Sequence, residues 1–223
     1  MPRNTLTKPQ IVRAAIDLLD EEGLDGLNMR ALGRRLGAAP TAVYWHVENK
    51  DELMLLAGDH VWEEIPLPAA EPADWHAAAR ALATDLYAMF GRHPWLVQAF
   101  GSHLLYGPNK SRYDDRCLAV YEAAGLTAPE ADLAAAAVFT YVLGNTLGAA
   151  ATASLSRRIR VRGGDPEQEI PRAVEQATAV AREFPRLRER VDSPAAAYNA
   201  APDSAFSHGL ALLLDGIGAK AVR

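Results

Sequence analysis

Apolar residues recur along this chain every three to four positions, in runs divided by glycine, proline and short polar caps, and no stretch alternates with a period of two. That pattern predicts amphipathic helices throughout and an all-α fold. The first run puts Ile11, Ala14, Ala15, Leu18 and Leu19 on one stripe. Thr7-Lys8-Pro9-Gln10 starts it, with Thr7 at the N-cap, Pro9 in the first turn and Gln10 at the capping-box position, and Gly23 ends it. Asn28 then caps a short helix whose Met29, Leu32 and Leu36 share a face, and Gly37 suits a left-handed stop. Pro40 fits the first turn of a third helix, with Ala39, Val43 and Val47 expected on its inner side. Asn49 and Glu52 repeat the cap for a fourth helix, in which Leu53, Leu56, Ala57, His60 and Val61 form one face. Pro66 and Pro68 stop it and mark a boundary.

Beyond that boundary, Trp75 to Phe90 reads as one long amphipathic helix, broken by His93-Pro94-Trp95 into a short one ending near Phe100. Pro108 to Ala124 is the next, with Tyr113, Cys117, Val120 and Tyr121 in phase. Thr127-Ala128-Pro129-Glu130 repeats the Thr7 capping pattern and opens a helix expected to run to about Ser156. A basic, glycine-bearing loop is expected from Arg157 to Pro166, a polar helix from Glu167 to Phe184, and a last helix from about Asp203. The span from Leu133 to Ser156 has no charged residue, but its apolar content is mostly alanine, which gains little from hydrocarbon. A core helix of a soluble dimer is the expectation there. The domains are read as residues 1–48, a connecting helix over 49–66, and residues 67–223.

Composition changes this picture in two places. The net charge is −5, but residues 1–50 hold seven Lys or Arg against six acids, so the acidity lies downstream. The head's own acids cluster on its first helix, which leaves a basic face free to form elsewhere. The single cysteine, Cys117, excludes an internal disulfide and sits in an apolar helical pattern, as a core residue does. The polar start, Met1 to Thr7, has no apolar segment after it, so a cytoplasmic setting is expected. No phosphate-binding glycine loop, nucleophile elbow or zinc-protease helix is present. His60 with Glu63 and Glu64 has chelating spacing but reads as a histidine beside solvated acids, so no metal and no cofactor are expected. Arg157, Arg158, Arg160 and Arg162 read as complements to a helix C-terminal dipole.

The densest signal is the run from Leu24 to Lys50. Two short helices joined by a glycine turn leave Thr41, Ala42, Tyr44, Trp45 and His46 facing outward, and exposed aromatics on so short a helix need a partner. Insertion of the second helix into a DNA major groove supplies one. The run Gly26-Leu27-Asn28-Met29-Arg30, Leu36-Gly37, Tyr44-Trp45-His46-Val47 and Asn49-Lys50-Asp51-Glu52-Leu53 resembles the N-terminal domain of the TetR family of bacterial transcriptional regulators, in its tetracycline-repressor-like branch. The resemblance implies an N-terminal three-helix helix-turn-helix domain and a C-terminal helical bundle for ligand binding and dimerisation. It assigns phosphate contacts to Tyr44, His46 and Lys50, and base reading to Arg30 and the start of the recognition helix. The expected DNA-binding set is Asn28, Arg30, Ala39, Pro40, Thr41, Ala42, Tyr44, Trp45, His46 and Lys50.

The larger domain resembles the same family more loosely, through His103-Leu104-Leu105-Tyr106-Gly107-Pro108 and the closing Phe206-Ser207-His208-Gly209-Leu210. The first segment looks like the one in which that branch places a magnesium-coordinating histidine. Gly148 stands where the branch has a metal-linked acid, so chelated tetracycline is not the expected ligand. Ligand-pocket candidates are His60, Phe90, Trp95, Phe100, His103, Tyr106, Tyr113, Tyr121, Phe139 and Asn145, an aromatic set suited to a flat small molecule. Dimer-interface candidates are Val138, Tyr141, Gly144, Gly148, Phe206, Leu210, Leu213, Leu214 and Ile217. The resulting expectation is a cytoplasmic, nucleoid-associated homodimeric repressor that binds a quasi-palindromic duplex operator, is released by a small molecule, and has neither catalytic nor membrane role. The alternatives are a ligand-sequestering all-α dimer with a vestigial head, and an all-α enzyme.

Overall fold

A computed structural model describes residues 6–191, 193 and 202–221, and among them the chain is helical with no strand. The head comprises α1 (Lys8–Gly26), α2 (Met29–Leu36) and α3 (Pro40–Tyr44), followed by the connecting α4 (Lys50–His60) and a 3-10 turn, Val61–Glu64. The second domain holds α5 (Trp75–Arg92), α6 (Pro94–Ala99), α7 (Pro108–Ala123), α8 (Ala128–Val161), α9 (Pro166–Ala181), α10 (Pro185–Val191) and α11 (Pro202–Ala221).

The boundaries follow the capping chemistry. Thr7 closes a capping box with Gln10, and Thr127 does so with Glu130. Asn28 and Asn49 each accept the amide three residues on, Ala31 and Glu52, at 2.8 Å; such caps contribute about 1 kcal/mol each. α1 is broken internally at Gly23, where φ is 74°. The head core gathers Ile11, Ala15, Leu19, Leu27, Leu32, Val43 and Leu53, all at 1% exposure or less. The second core is built by α5, α6, α7 and α11 around α8.

Four expectations change. The eighth helix does not stop at Ser156: no breaker precedes Gly163, and Ile159 packs at 2% exposure, so Arg157, Arg158 and Arg160 lie on its last turns rather than in a loop. The polar helix ends at Ala181 and restarts at Pro185 as α10. Ala39 is the exposed N-cap of α3, not part of its inner side, because α3 is a single short turn anchored by Val43 alone. The fourth concerns the partner face. Val138, Phe206, Leu210, Leu214 and Ile217 are buried within their own chain, at 9% exposure or less. Tyr141 donates its hydroxyl to the Phe206 carbonyl at 2.9 Å, and Leu213 packs against the same core. That stripe is therefore consumed internally, and apolar periodicity alone could not tell an intrachain face from a dimer face.

α8 shows both faces at once. Its buried residues Ala131, Ala134, Val138, Val142, Thr146 and Ala150 follow one helical stripe. The opposite side exposes Leu133, Leu147, Gly144 and Gly148, and neither glycine has a neighbour within 4 Å of where a Cβ would lie. Length and mean hydropathy of 1.5 would let α8 cross a membrane, but the packed stripe is that of a bundle's central helix.

Candidate functional site: a helix-turn-helix head and a cavity

In the head, Gly37 takes φ 61° after Leu36, and its N–H and that of Ala38 close onto the Arg34 and Gly33 carbonyls. Gly33 was not singled out from sequence, yet a Cβ there would lie 2.8 Å from the Ala38 carbonyl oxygen. A glycine inside so short a helix, where it costs about 1 kcal/mol against alanine, was the available signal. The tight turn presents Thr41, Tyr44 and Trp45 outward; Tyr44 is 53% and Trp45 87% exposed. Ala42 and His46 are half-buried, and Pro40 is exposed at the first turn of α3. Asn28 is committed to its cap and to the Gly26 carbonyl, and Lys50 donates to the Leu24 carbonyl at 3.2 Å.

The charges of the head sort into used and unused. Arg35 makes paired bonds of 2.6 and 2.7 Å to Glu21, whose hydrogen bond outweighs desolvation and lowers the carboxyl pKa. Glu52 is taken by Lys8 and by the Glu48 amide. Asp20 is taken by the second domain. Two acids of α1, Asp20 and Glu21, are thus taken by partners, while Arg30 and Arg34 stand exposed beside α3. A nearly neutral head still presents a basic edge.

The head is mounted on the second domain by a polar cluster that sequence reading missed. Both ring nitrogens of His93 meet carboxylates, Nδ1 at 2.8 Å from Asp20 and Nε2 at 2.9 Å from Glu64. Carboxylates only accept, so both nitrogens donate and the ring is the charged imidazolium. Burial opposes that charge, but the bonds to Asp20 and Glu64 prevail and raise the His93 pKa. Trp95 donates its indole N–H to Asp20 at 2.7 Å, and Arg92 donates to Glu64 at 2.8 Å. Arg157 lies over Gly23, with burial lowering its pKa against the fields of Asp20 and Asp25.

Between α5, α7 and α8 lies a cavity of about 260 Å³. Of the predicted ligand residues, Tyr113, Tyr121 and Phe139 line it, with Ala79, Ala83 and Cys117. Phe90 and Phe100 stand behind Phe139 as edge-on supports, 6.4 and 5.6 Å between ring centres. The other five lie elsewhere. Trp95 is sealed in the mount; Tyr106 is 63% exposed; His103 pairs with Ser102. Asn145 donates to the Tyr141 carbonyl on its own helix, and His60 faces Glu63 at 3.4 Å. The charged residues of the lining were not foreseen: Lys110, bonded to Asp114 at 2.5 Å, Asp114 itself and Asp132. Burial pushes the Cys117 thiol up to about 12 and the Tyr121 phenol higher still, so both stay neutral hydrogen-bonding groups.

Residues 11–57 match the family model described as bacterial regulatory proteins, tetR family, and residues 67–221 match the tetracyclin repressor-like C-terminal domain. The chain belongs to the TetR family. Among its TetR relatives, the tetracycline repressor protein class A from transposon 1721 of Escherichia coli is 31% identical, over 94% of this chain and 89% of that protein. The HTH-type transcriptional repressor DrrR1 of Streptomyces coeruleorubidus is 35% identical over 64% of the chain, which spans just over half, 53%, of DrrR1. Among solved TetR structures, Streptomyces coelicolor ActR in complex with actinorhodin superposes with a TM-score of 0.76 at 27% identity, over 96% of each chain.

Proposed function

We propose that this chain is a homodimeric, ligand-responsive repressor, soluble and nucleoid-associated in the cytoplasm, without enzymatic activity. The observation that carries this reading is the α3 surface. A helix anchored by one buried residue, Val43, presents Tyr44 and Trp45 to solvent beside the exposed Arg30 and Arg34. Among the described residues none bonds to these groups, whereas a major groove does: Thr41 and Ala42 reach base edges, while Tyr44, His46 and Lys50 grip phosphates. Lys50 would exchange the Leu24 carbonyl for a phosphate. Two such heads fit half-sites about one helical turn apart.

The cavity is the effector site in this reading. Its wall of small alanines and aromatic rings suits a flat, partly aromatic molecule, in keeping with the actinorhodin bound by ActR. Ligand and operator then oppose each other by the same factor in both directions.

Selection of bound fragments from random duplex DNA at near-physiological salt tests the head directly. Enrichment of a quasi-palindrome is expected; purely non-specific, salt-sensitive binding would reject the reading and leave a ligand-sequestering dimer. On the selected duplex, Tyr44→Ala is expected to weaken binding about tenfold, equally on cognate and scrambled DNA, as loss of a backbone contact does. Unchanged affinity would remove Tyr44 from the interface.

The partner face is assigned to the exposed side of α8 and its neighbour α11, where Leu133, Leu147 and Leu212 are 70%, 56% and 61% exposed. The apolar groove between Leu133, Leu212 and Leu213 continues this face. Joint Leu133→Asp and Leu212→Asp substitution is expected to give a folded monomer by sedimentation, because buried unpaired carboxylates oppose association. A persistent dimer would move the interface elsewhere.

A further inference from the structure

The N-terminus of α7 is capped from another helix. Gly107, at the N-cap position, has no side chain to offer, and Pro108 has no N–H. The next two amides go to Asp59 on the last turn of α4: Asn109 N donates to Oδ1 at 3.0 Å and Lys110 N to the same oxygen at 2.9 Å. A second clasp joins the Asn109 side chain to Glu63 Oε1 at 2.9 Å. Position 107 is built around this contact, since a Cβ there would fall 2.3 Å from Asp59 Cγ. Asp59 does from 48 residues upstream what an N-cap aspartate ordinarily does for its own helix.

We infer that Asp59 is the positioning residue that transmits the state of the cavity to the DNA-binding head. This inference rests on the regulator reading above and specifies its route. α7 carries Lys110, Tyr113, Asp114, Cys117 and Tyr121 along the cavity wall, so a ligand that shifts this wall shifts the amides held by Asp59. At its other end α4 begins at Lys50, directly after the recognition turn, so a tilt of its last turn moves α3. The Trp62–Tyr113 ring contact, 5.0 Å between centres, also joins the two regions, but apolar rings can slide past one another. Two hydrogen bonds to a charged carboxylate hold direction as well as distance. The Glu64 contacts lead to His93 and Arg92, neither of which lines the cavity.

Because coupling is reciprocal, the operator itself serves as the probe, and the backbone amides of α7 along the cavity wall are the reporters. The measurement is the hydrogen-exchange rate of the Tyr113 to Tyr121 amides in the full chain, with and without the selected operator duplex. In the wild type, duplex is expected to change that rate at least threefold. In Asp59→Ala the protein still binds duplex, but the rate with and without it is the same. Gly107→Ala, which keeps the carboxylate and pushes it off the two amides, is expected to behave alike and stands in should Asp59→Ala fail to fold. An undiminished duplex effect in either variant, or none in the wild type, overturns the inference. Failure to retain any duplex specifically is read separately in the same samples and refutes the regulator reading itself.

Discussion

Filling the cavity from its own wall, with Ala79→Phe, is expected to lower operator affinity by roughly five- to a hundredfold without any ligand present. Ala79 is 2% exposed and lines a cavity of about 260 Å³, room enough for a phenyl ring. A ring placed there presses on α7 as a bound aromatic molecule would. The expected range follows from the coupling free energies usual between linked sites, about 1–3 kcal/mol. Overpacking by itself costs a similar amount of stability, so thermal unfolding must be followed beside DNA binding. A variant with near-native melting and weakened operator binding establishes the cavity as a control site. Undiminished binding, with the ring shown to be buried, would disconnect cavity from head.

The same substitution separates two ways of reading the cavity. If it is only a packing defect of the bundle, Ala79→Phe should raise stability and leave DNA binding alone, as cavity filling generally does. If it is a site whose filled state disfavours the DNA-bound geometry, stability and affinity move in different directions. The thiol and phenols on its wall are held neutral by burial. They stand on that wall as neutral hydrogen-bonding groups.

How much of this was legible in the sequence depends on the range of the interaction. Thr7, Asn28, Gly37, Pro40 and Thr127 act within four residues, and the structure places each in its expected role. Of the outward set, Thr41, Tyr44 and Trp45 are exposed as the period of a helix anchored at Val43 requires, again a local rule, while Ala42 and His46 are half-buried. What the pattern left open was which distant partner a given residue meets. Phe206, Leu210 and Leu214 were rightly apolar, but the pattern could not say that α5 and α8 of their own chain would cover them. Trp95 looked like a ligand aromatic because its indole partner, Asp20, is 75 residues away. His93, flanked by Arg92 and Pro94, gave no hint of two carboxylates arriving from α1 and from the 3-10 turn after α4. Asp59 was an unremarked acid on a helix, since its bonds cross 50 and 51 positions.

The His93 cluster sets the last expectation, a stability that declines above neutral pH and a variant that no longer shows the decline. The groups facing the ring are Asp20 from α1 and Glu64 from the 3-10 turn after α4. Arg92 on α5 is bonded to Glu64, Trp95 on α6 is bonded to Asp20, and Arg157 on α8 lies in the field of Asp20. The folded protein holds the His93 pKa above its ordinary 6.5, so folding binds a proton. Its contribution is therefore complete below about pH 6.5 and is lost as pH rises through the folded value. Glu64 has the opposite sign: its folded pKa lies below 4.5, because the bonds from His93 and Arg92 outweigh desolvation, so its share is lost only as pH falls through the acid range. Between the two the mount is fully formed. His93→Leu keeps most of the packing volume but removes both bonds, leaving Asp20 and Glu64 each about a third exposed and able to rehydrate. The expected loss at pH 6 is about 2 kcal/mol, as for hydrogen bonds to charged groups, or about 4–8 °C in a chain of this size. Thermal melts of both proteins from pH 5.5 to 8.5, at one protomer concentration, should converge as pH rises. Parallel curves would show that His93 does not carry its proton in the fold. Convergence would identify the joint between the head and the second domain as a charged contact formed in full only while that proton is held.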